Sequence, residues 1–252
     1  MNILYLTKSK QYTLLFLEKM IDDGHNLTVV CKDYDSFLNS EMWLFCRTHS
    51  IPFFDNEDLY RALKKGELEK YDFAISNTFG KLIKKELIDW LDGNIINLHG
   101  AILPEYKGMF TYNWGLFNGE SVWGVTAHFV DESFDTGSII TIKEFQIDPK
   151  SMTVAELERK TQETAFYLSV EIIEMVIKGI PLNRKPQTSE GHYYSRRDFE
   201  NLKRIEFSDS INEIERKIHS CWCPPFEGAY LSINDKKYYL LSAEMLEDIK
   251  NG

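Results

Sequence analysis

The first half of the chain alternates short apolar runs with stretches in which apolar residues recur every three or four positions. The runs predict buried strands, and the spacing of Leu14, Leu17 and Ile21 is typical of a helix. Strands that alternate with helices favour a mostly parallel α/β sheet with right-handed crossovers. The predicted strands are Asn2–Leu6, Leu27–Cys31, Ile51–Phe54, Phe73–Ser76 and Ile95–Leu98, and the predicted helices are Thr13–Ile21, about Asp35–Thr48 and Leu59–Leu68.

The pattern changes after residue 120. Two longer segments of alternating character, Val122–Val130 and Ser138–Ile147, predict strands joined by a turn at Asp135-Thr136-Gly137. A long helix is expected over about Thr153–Lys178, because cap residues precede it and the stop signals Gly179 and Pro181 follow it.

The last part of the chain has a different character, so we place a domain boundary near residue 181. A helix is expected over Ile211–Ser220, and two strands flank the turn residues Asn234-Asp235. These strands are predicted at Ala229–Ile233 and Lys237–Leu241. The sequence therefore predicts a Rossmann-like, mostly parallel sheet over 1–180 and a small α+β extension over 181–252 that ends in a strand pair.

Composition excludes several classes of function. The 252 residues include 29 Lys and Arg against 39 Asp and Glu, which argues against a polyanionic nucleic acid as partner. There is no apolar run of 18 residues and no signal-peptide layout, so we expect no membrane contact. The four cysteines lack a paired zinc spacing, which favours reduced thiols, no metal and a cytoplasmic location. No G-x-G-x-x-G follows the first strand, where Thr7-Lys8-Ser9-Lys10 stands instead.

Three side chains could carry acyl transfer to an amine. Asn97 and His99 lie two residues apart at the end of a predicted strand, where open α/β sheets bind ligands, so both project from one face. Asn97 could stabilise charge on a carbonyl oxygen, an effect of about 3 kcal/mol, and His99 could handle the proton. Asp135, on its turn, could orient the histidine. Singly, each residue also fits a structural role in a turn, a core or a hairpin loop.

The residues around this set resemble the folate-dependent formyltransferase family. The matching motifs are N-L-H-x-x-x-L-P-x-Y-K-G from Asn97, G-V-T from Gly124 and D-x-x-x-D-T-G-x-I-I from Asp131. The resemblance implies that 1–180 is the catalytic domain, that Asn97, His99 and Asp135 are catalytic and that the co-substrate is 10-formyltetrahydrofolate. One departure is Gly100, where the family has proline, and we expect it to loosen the loop slightly.

The same resemblance implies where the folate ring would lie. It would follow the loop after the fourth strand and the start of the loop that carries Asp135. The folate-binding residues implied in this way are Asn77, Thr78, Phe79, Gly80, Lys81, Leu82, Ile83 and Asp131.

The C-terminal section bears on the acceptor amine. Glycinamide ribonucleotide enzymes of the family tend to end near residue 180, and methionyl-tRNA enzymes carry a full C-terminal barrel. Residues 151–252 hold 14 Lys and Arg against 17 Asp and Glu, a poor surface for tRNA. The segment Cys221–Tyr230 resembles the C-terminal motif of nucleotide-sugar N-formyltransferases. The expected acceptor is a dTDP-linked amino-deoxysugar, used for surface polysaccharide such as O-antigen.

Candidate acceptor residues follow from this interpretation. Trp222 would stack on the base, and Arg196, Arg197 or Lys203 would bind the diphosphate. Further candidates line the expected cleft or belong to the aromatic tail. They are Lys8, Lys10, Met109, Phe110, Tyr112, Tyr194, Phe226 and Tyr230.

Alternatives remain open at this point. The aromatic residues could be the small core of a truncated barrel, with the basic residues on a solvated face. The acceptor could be methionyl-tRNA or a UDP-linked amino sugar, and the protein could be a silent binder of folate or nucleotide sugar. The terminal strand pair and exposed aromatic residues also point to a homodimer.

Overall fold

A seven-stranded sheet forms the centre of the structure, a computed structural model that describes residues 1–31 and 41–251. The first elements are β1 (Asn2–Thr7), α1 (Gln11–Asp22), β2 (Asn26–Cys31), α2 (Glu41–Thr48), β3 (Phe53–Asp55), α3 (Asn56–Lys65), β4 (Phe73–Asn77), α4 (Lys85–Trp90), β5 (Ile95–His99), β6 (Tyr106–Gly108), α5 (Thr111–Asn118), β7 (Val122–Phe129), β8 (Ile139–Gln146) and α6 (Val154–Ile177). The sheet order is β3-β2-β1-β4-β5-β7-β8. The five strands from β3 to β5 in this order are parallel, β7 is antiparallel to β5, and β8 is antiparallel to β7.

Helices cover both faces of this sheet, which is why its central strands are apolar on both sides. One core joins the strands to α1, α2 and α6 through residues such as Phe16, Met42 and Leu168. The other core joins them to α3 and α4 through Leu59 and Leu87. The carboxyl ends of the parallel strands therefore open at a single edge, where the candidate catalytic residues lie.

The remaining elements form a smaller unit that packs on α5. They are β9 (His192–Tyr194), α7 (Arg196–Lys203), β10 (Arg204–Ile205), α8 (Ile211–Cys221), β11 (Tyr230–Ile233), β12 (Lys236–Tyr239) and α9 (Ala243–Asn251). Strands β10, β11 and β12 make a three-stranded sheet, while β9 pairs in parallel with β6. Phe199 and Leu202 of α7 lie in one cluster with Phe110 and Trp114, so the C-terminal section borders the predicted cleft.

The predicted fold class is confirmed, with a sheet that is parallel as far as β5. The caps predicted for the long helix are present, since Thr153 and Glu156 cap each other's backbone amides and Gly179 follows the helix with φ 65°. Asn234 and Asp235 both have positive φ, as a tight hairpin requires. The early part of the helix predicted over about Asp35–Thr48 lies outside the described residues, and the domain boundary near 181 stays a prediction.

Several elements were not predicted. They are α4, α5, α7, α9 and the short strands β6, β9 and β10. Among the described residues, no helix is both long and apolar enough to cross a bilayer.

Candidate active site

Strand β5 carries the first two candidate residues. Its alternate residues Ile96 and Leu98 enter the core beneath α6, so Asn97 and His99 project from the opposite face. The neighbouring strand β7 pairs Asn97 with His128 and His99 with Thr126. His128 therefore lies beside Asn97, and the Asn97 amide nitrogen is 3.1 Å from His128 Nε2.

The loop after β7 brings Asp135 onto this face. One carboxylate oxygen, Oδ1, is 3.4 Å from His99 Nδ1 and 3.7 Å from His128 Nε2. The other oxygen accepts a hydrogen bond of 2.9 Å from the Gly108 amide. Gly137 allows this return, because a side chain there would collide with the Phe129 carbonyl. Residues separated by up to 38 positions in the sequence thus meet at one point.

The electrostatics favour an ionised carboxylate. Burial raises the pKa of Asp135, but electrostatic attraction to His99 and the contacts with the His128 ring and the Gly108 amide outweigh it and lower the pKa to about 2. The side chains of His99 and Asp135 are only 9% and 10% exposed, so water screens their attraction weakly. An anion is therefore fixed beside the imidazole near neutral pH.

Hydrogen bonds orient both histidines. His99 Nε2 is 2.6 Å from the Tyr106 carbonyl and His128 Nδ1 is 2.8 Å from the Phe129 carbonyl. Carbonyl oxygens only accept, so each of these ring nitrogens carries a proton. His128 Nε2 faces both the Asn97 amide and Asp135 Oδ1, while His99 Nδ1 faces Asp135. Sequence reasoning missed His128, although its place opposite Asn97 follows from an antiparallel pairing of the two predicted strands.

Hydrogen bonds and close packing support the loop that follows β5. Thr126, in Gly-Val-Thr, donates to the Ala101 carbonyl at 2.7 Å and accepts from the Leu103 amide at 3.0 Å. At Gly100, a Cβ would lie 2.5 Å from the Tyr112 hydroxyl. Gly100 thus makes room for Tyr112 rather than simply loosening the loop.

Gln187 connects the loop that carries Asp135 to the C-terminal section. Its amide nitrogen donates to the carbonyls of Asp135 and Gly137, both at 2.9 Å. This residue comes 50 positions after the loop and had no sequence signal. It holds the backbone from which Asp135 projects.

The loop predicted to bind folate follows β4 and faces the same edge of the sheet. Asn77, Phe79 and Ile83 are buried, whereas Gly80, Lys81 and Leu82 are exposed. The Thr78 residue has φ 60°, and its hydroxyl oxygen is buried with no hydrogen-bond partner. Across the cleft, Asp131 accepts bonds from the Ser133 amide and the Thr136 hydroxyl within its own loop.

Some of the predicted acceptor residues are brought together. The Met109 amide donates to the Tyr194 carbonyl at 2.8 Å. Phe110 stacks on Phe199 with ring centroids 4.1 Å apart, and the Arg196 guanidinium lies 5.7 Å from the Phe110 ring centre. Arg197 is exposed beside it. The two arginines thus lie exposed beside the half-buried Phe110 where α7 meets α5, and Phe199 is buried beneath Phe110.

Other predicted acceptor residues lie elsewhere. The structure does not place Tyr112 in a cleft wall, since its hydroxyl is buried among Gly100 and Gln162. Lys203 is 5% exposed and pairs with Glu200 at 2.9 Å, so its charge is already neutralised. Lys10 pairs with Glu158 at 3.1 Å.

The remaining candidates are placed without a common cluster. Lys8 is partly buried where the chain leaves β1, and Trp222 is half-buried at the end of α8. Phe226 is 73% exposed, whereas Tyr230 is buried in the small sheet with Lys237 over its ring. Their roles stay predictions. In the part of the chain that the structure describes, no three His, Cys, Asp or Glu side chains form a metal-binding group.

Comparison with known proteins assigns the family of the segment that holds this geometry. Residues 53–173, which include Asn97, His99 and Asp135, match the formyl transferase family. This segment of the chain is therefore similar to a formyl transferase domain. The match ends before β9 and the small sheet, which therefore lie outside the part that the family describes.

Individual relatives of the chain differ in their acceptors. The chain is 32% identical over 185 residues to a methionyl-tRNA formyltransferase of Thermodesulfovibrio yellowstonii, with 73% of the chain and 58% of that relative covered. It is 29% identical over 187 residues to a GDP-perosamine N-formyltransferase of Brucella melitensis, covering 72% and 68%. The chain thus spans under two thirds of the length of the first relative.

A solved structure shows the same fold. The N-formyltransferase of Helicobacter canadensis, in complex with folinic acid and dTDP-3-aminofucose, superposes with a TM-score of 0.73 at 24% identity, covering 94% of this chain and 85% of that one. The coverage extends over the C-terminal section. The arrangement of the matched segment with the small sheet is therefore shared.

Proposed function

We propose that this protein transfers a formyl group from 10-formyltetrahydrofolate to the amine of a nucleotide-linked amino sugar. The observation that carries the proposal is the convergence of Asn97, His99 and Asp135, with Asp135 Oδ1 3.4 Å from His99 Nδ1. An amide, an imidazole and an ionised carboxylate at one point supply what acyl transfer to an amine requires.

The loop after β4 suits a folate ring. The buried Thr78 hydroxyl has no partner, and within the described chain the backbone of 79–83 makes no hydrogen bond to other backbone groups. Buried polar groups without partners are uncommon, and a bound folate ring would offer this loop hydrogen-bond partners. Lys85, the first residue of α4 after this loop, pairs with Glu132 of the loop that carries Asp135 at 3.2 Å. When bound, 10-formyltetrahydrofolate would supply an activated formyl group.

Each residue of the site would have a distinct role in the transfer. The Asn97 side-chain amide and the His99 ring, which project from one face of β5, would stabilise negative charge on the formyl oxygen. Asp135, ionised near neutral pH, would accept a proton from the attacking amine. His128 would hold the Asn97 amide, and the Gly108 amide would hold the carboxylate.

The acceptor is proposed from charge and surface. Residues 151–252 carry three more acidic than basic residues, by the counts of 17 and 14, which is unfavourable for tRNA. The exposed Arg196 and Arg197, beside the Phe110 and Phe199 stack, suit a nucleoside diphosphate. A dTDP-linked amino-deoxysugar for surface polysaccharide is our specific proposal, and a UDP-linked sugar is the nearest variant. The homodimer and the cytoplasmic location remain predictions.

Methionyl-tRNA is the second candidate acceptor, favoured by the 32% identity to the Thermodesulfovibrio enzyme. The salt dependence of binding distinguishes the two acceptors. Because tRNA binding releases counterions, the affinity for tRNA falls steeply as ionic strength rises. A nucleotide sugar with two phosphate groups would respond far less.

The experiment supplies the protein with 10-formyltetrahydrofolate and, in separate reactions, dTDP-3-aminofucose, GDP-perosamine, a UDP-linked amino sugar and methionyl-tRNA. Release of tetrahydrofolate and the added formyl mass on the acceptor are measured at two salt concentrations. Formylation of a nucleotide sugar with little salt dependence supports the proposal. Formylation of methionyl-tRNA alone, or sugar binding without turnover in calorimetry, contradicts it.

A further inference from the structure

Strand β9 places Tyr193 beside the catalytic carboxylate. It pairs in parallel with β6, with Lys107 opposite Tyr193 and Gly108 opposite Tyr194. The Gly108 amide is also the group that donates to Asp135 Oδ2 at 2.9 Å. The backbone that fixes the carboxylate is therefore the backbone on which β9 lies.

The ring of Tyr193 packs directly on Gly108. Gly108 has φ 90°, and a Cβ built there would lie 3.1 Å from the Tyr193 ring and would collide with the Tyr194 carbonyl. The absence of a side chain thus lets the ring approach the backbone closely. No residue with a larger side chain fits this position without moving β9.

The two adjacent tyrosines have different surroundings. Tyr194 stacks between Tyr106 and Trp114, with ring centroids 5.5 and 4.7 Å away, and belongs to the core. Tyr193 is 46% exposed even though it touches Gly108. Packing of the core therefore does not account for an aromatic residue at 193.

The phenol is suited to binding rather than to proton transfer. Partial burial and the negative charge of Asp135 raise the pKa of Tyr193. The hydroxyl thus stays protonated near neutral pH, where it can both donate and accept a hydrogen bond.

We infer that Tyr193 is a specificity-determining residue whose ring forms one wall of the acceptor site and whose hydroxyl contacts the amino sugar. The inference rests on the proposed function, because the amine must approach Asp135, whose Oδ2 accepts a hydrogen bond from the Gly108 amide on which Tyr193 packs. A sugar presents C–H faces and hydroxyl edges, to which an aromatic face and a phenol are complementary.

The test compares Tyr193→Ala and Tyr193→Phe with the wild-type protein, using Tyr167→Ala as a control on the exposed side of α6, where that residue is 64% exposed. Steady-state kinetics and calorimetry are run with dTDP-3-aminofucose, and folinic acid affinity and melting temperature are measured in parallel. We expect Tyr193→Ala to weaken sugar affinity and raise its KM about tenfold, with folinic acid affinity unchanged. Tyr193→Phe should raise the KM about threefold, and Tyr167→Ala should change nothing.

An unchanged sugar affinity and KM in Tyr193→Ala would overturn the inference. If Tyr193→Ala lowers the melting temperature or folinic acid affinity, Tyr193→Phe decides, since it keeps the ring: a raised KM supports the contact and a wild-type KM overturns it. A wild-type protein that binds the sugar but never formylates it contradicts the proposed function alone. In that case, equal sugar affinities of the wild-type and Tyr193→Ala proteins still overturn the role of Tyr193.

Discussion

Replacement of Asp135 by asparagine should destabilise the folded protein in a pH-dependent way. The change keeps the size of the side chain and an oxygen for the Gly108 amide but removes the charge facing His99 and His128. Lowering the pKa of Asp135 from 3.8 to about 2 corresponds to about 2 kcal/mol of stability at neutral pH. The low exposure of both partners, 9% and 10%, allows this conversion.

The lowered pKa of Asp135 determines how its contribution to stability changes with pH. A carboxyl group whose pKa is lowered on folding stabilises the protein above its unfolded value, near 3.8, and this contribution is lost as pH falls through the folded value near 2. The difference between wild type and Asp135→Asn should therefore be about 2 kcal/mol at pH 6 and roughly half of that at pH 3.

Urea unfolding followed by circular dichroism at pH 6, 4 and 3 measures this difference. Asp22→Asn is the matched control, since Asp22 is an exposed aspartate at the end of α1. A constant difference between wild type and Asp135→Asn at every pH would refute the account, and so would a more stable variant, because either result would mean that Asp135 does not form a favourable charged pair.

Two further variants test the support of the site. His128→Leu leaves the Asn97 amide without its partner at 3.1 Å and should reduce kcat about tenfold to a hundredfold; a wild-type kcat would show that His128 does not position Asn97. Gly100→Ala should destabilise the protein by about 1–3 kcal/mol, because its Cβ lies 2.5 Å from the Tyr112 hydroxyl. Tyr112→Phe should restore part of that loss in thermal melting of the double variant, and an additive loss would contradict the clash.

The placement of Asn97, His99 and Asp135 was predictable because local signals fix it. Asn97 and His99 end a strand whose other residues, Ile95, Ile96 and Leu98, are apolar, and Asp135 lies in a turn marked by Gly137. Strand pairing then brings them together. The loop proposed to bind folate also follows a buried strand, which made its position at the same edge predictable.

Contacts between distant segments were not predictable from local pattern. Helix α5 was missed because it buries Asn113 and Gly115 as well as apolar residues, so its sequence shows no clear amphipathic face. Strands β6 and β9 have three residues each and form only because they pair with one another. Tyr112 was placed in the cleft by its closeness in sequence to Lys107 and Gly108, whereas packing against Trp123 and Gln162 buries it.

The side chains of the C-terminal section also depend on tertiary structure. Lys203 looked available for a phosphate in a basic segment, but the helix places it against Glu200 and buries it. The sequence shows that a lysine is present, but it does not show which carboxylate forms an ion pair with that lysine. Arg196 and Arg197, at the exposed start of the same helix, remain the better candidates for a diphosphate.

Single-turnover formyl transfer tests the central claim most directly. Wild-type protein, His99→Asn and Asp135→Asn would each be mixed in excess with 10-formyltetrahydrofolate and dTDP-3-aminofucose, and formylated sugar would be measured over time. We expect product with the wild type and a loss of at least about a thousandfold in both variants, with folinic acid still bound. Formylation by either variant at a rate near that of the wild type would contradict the claim.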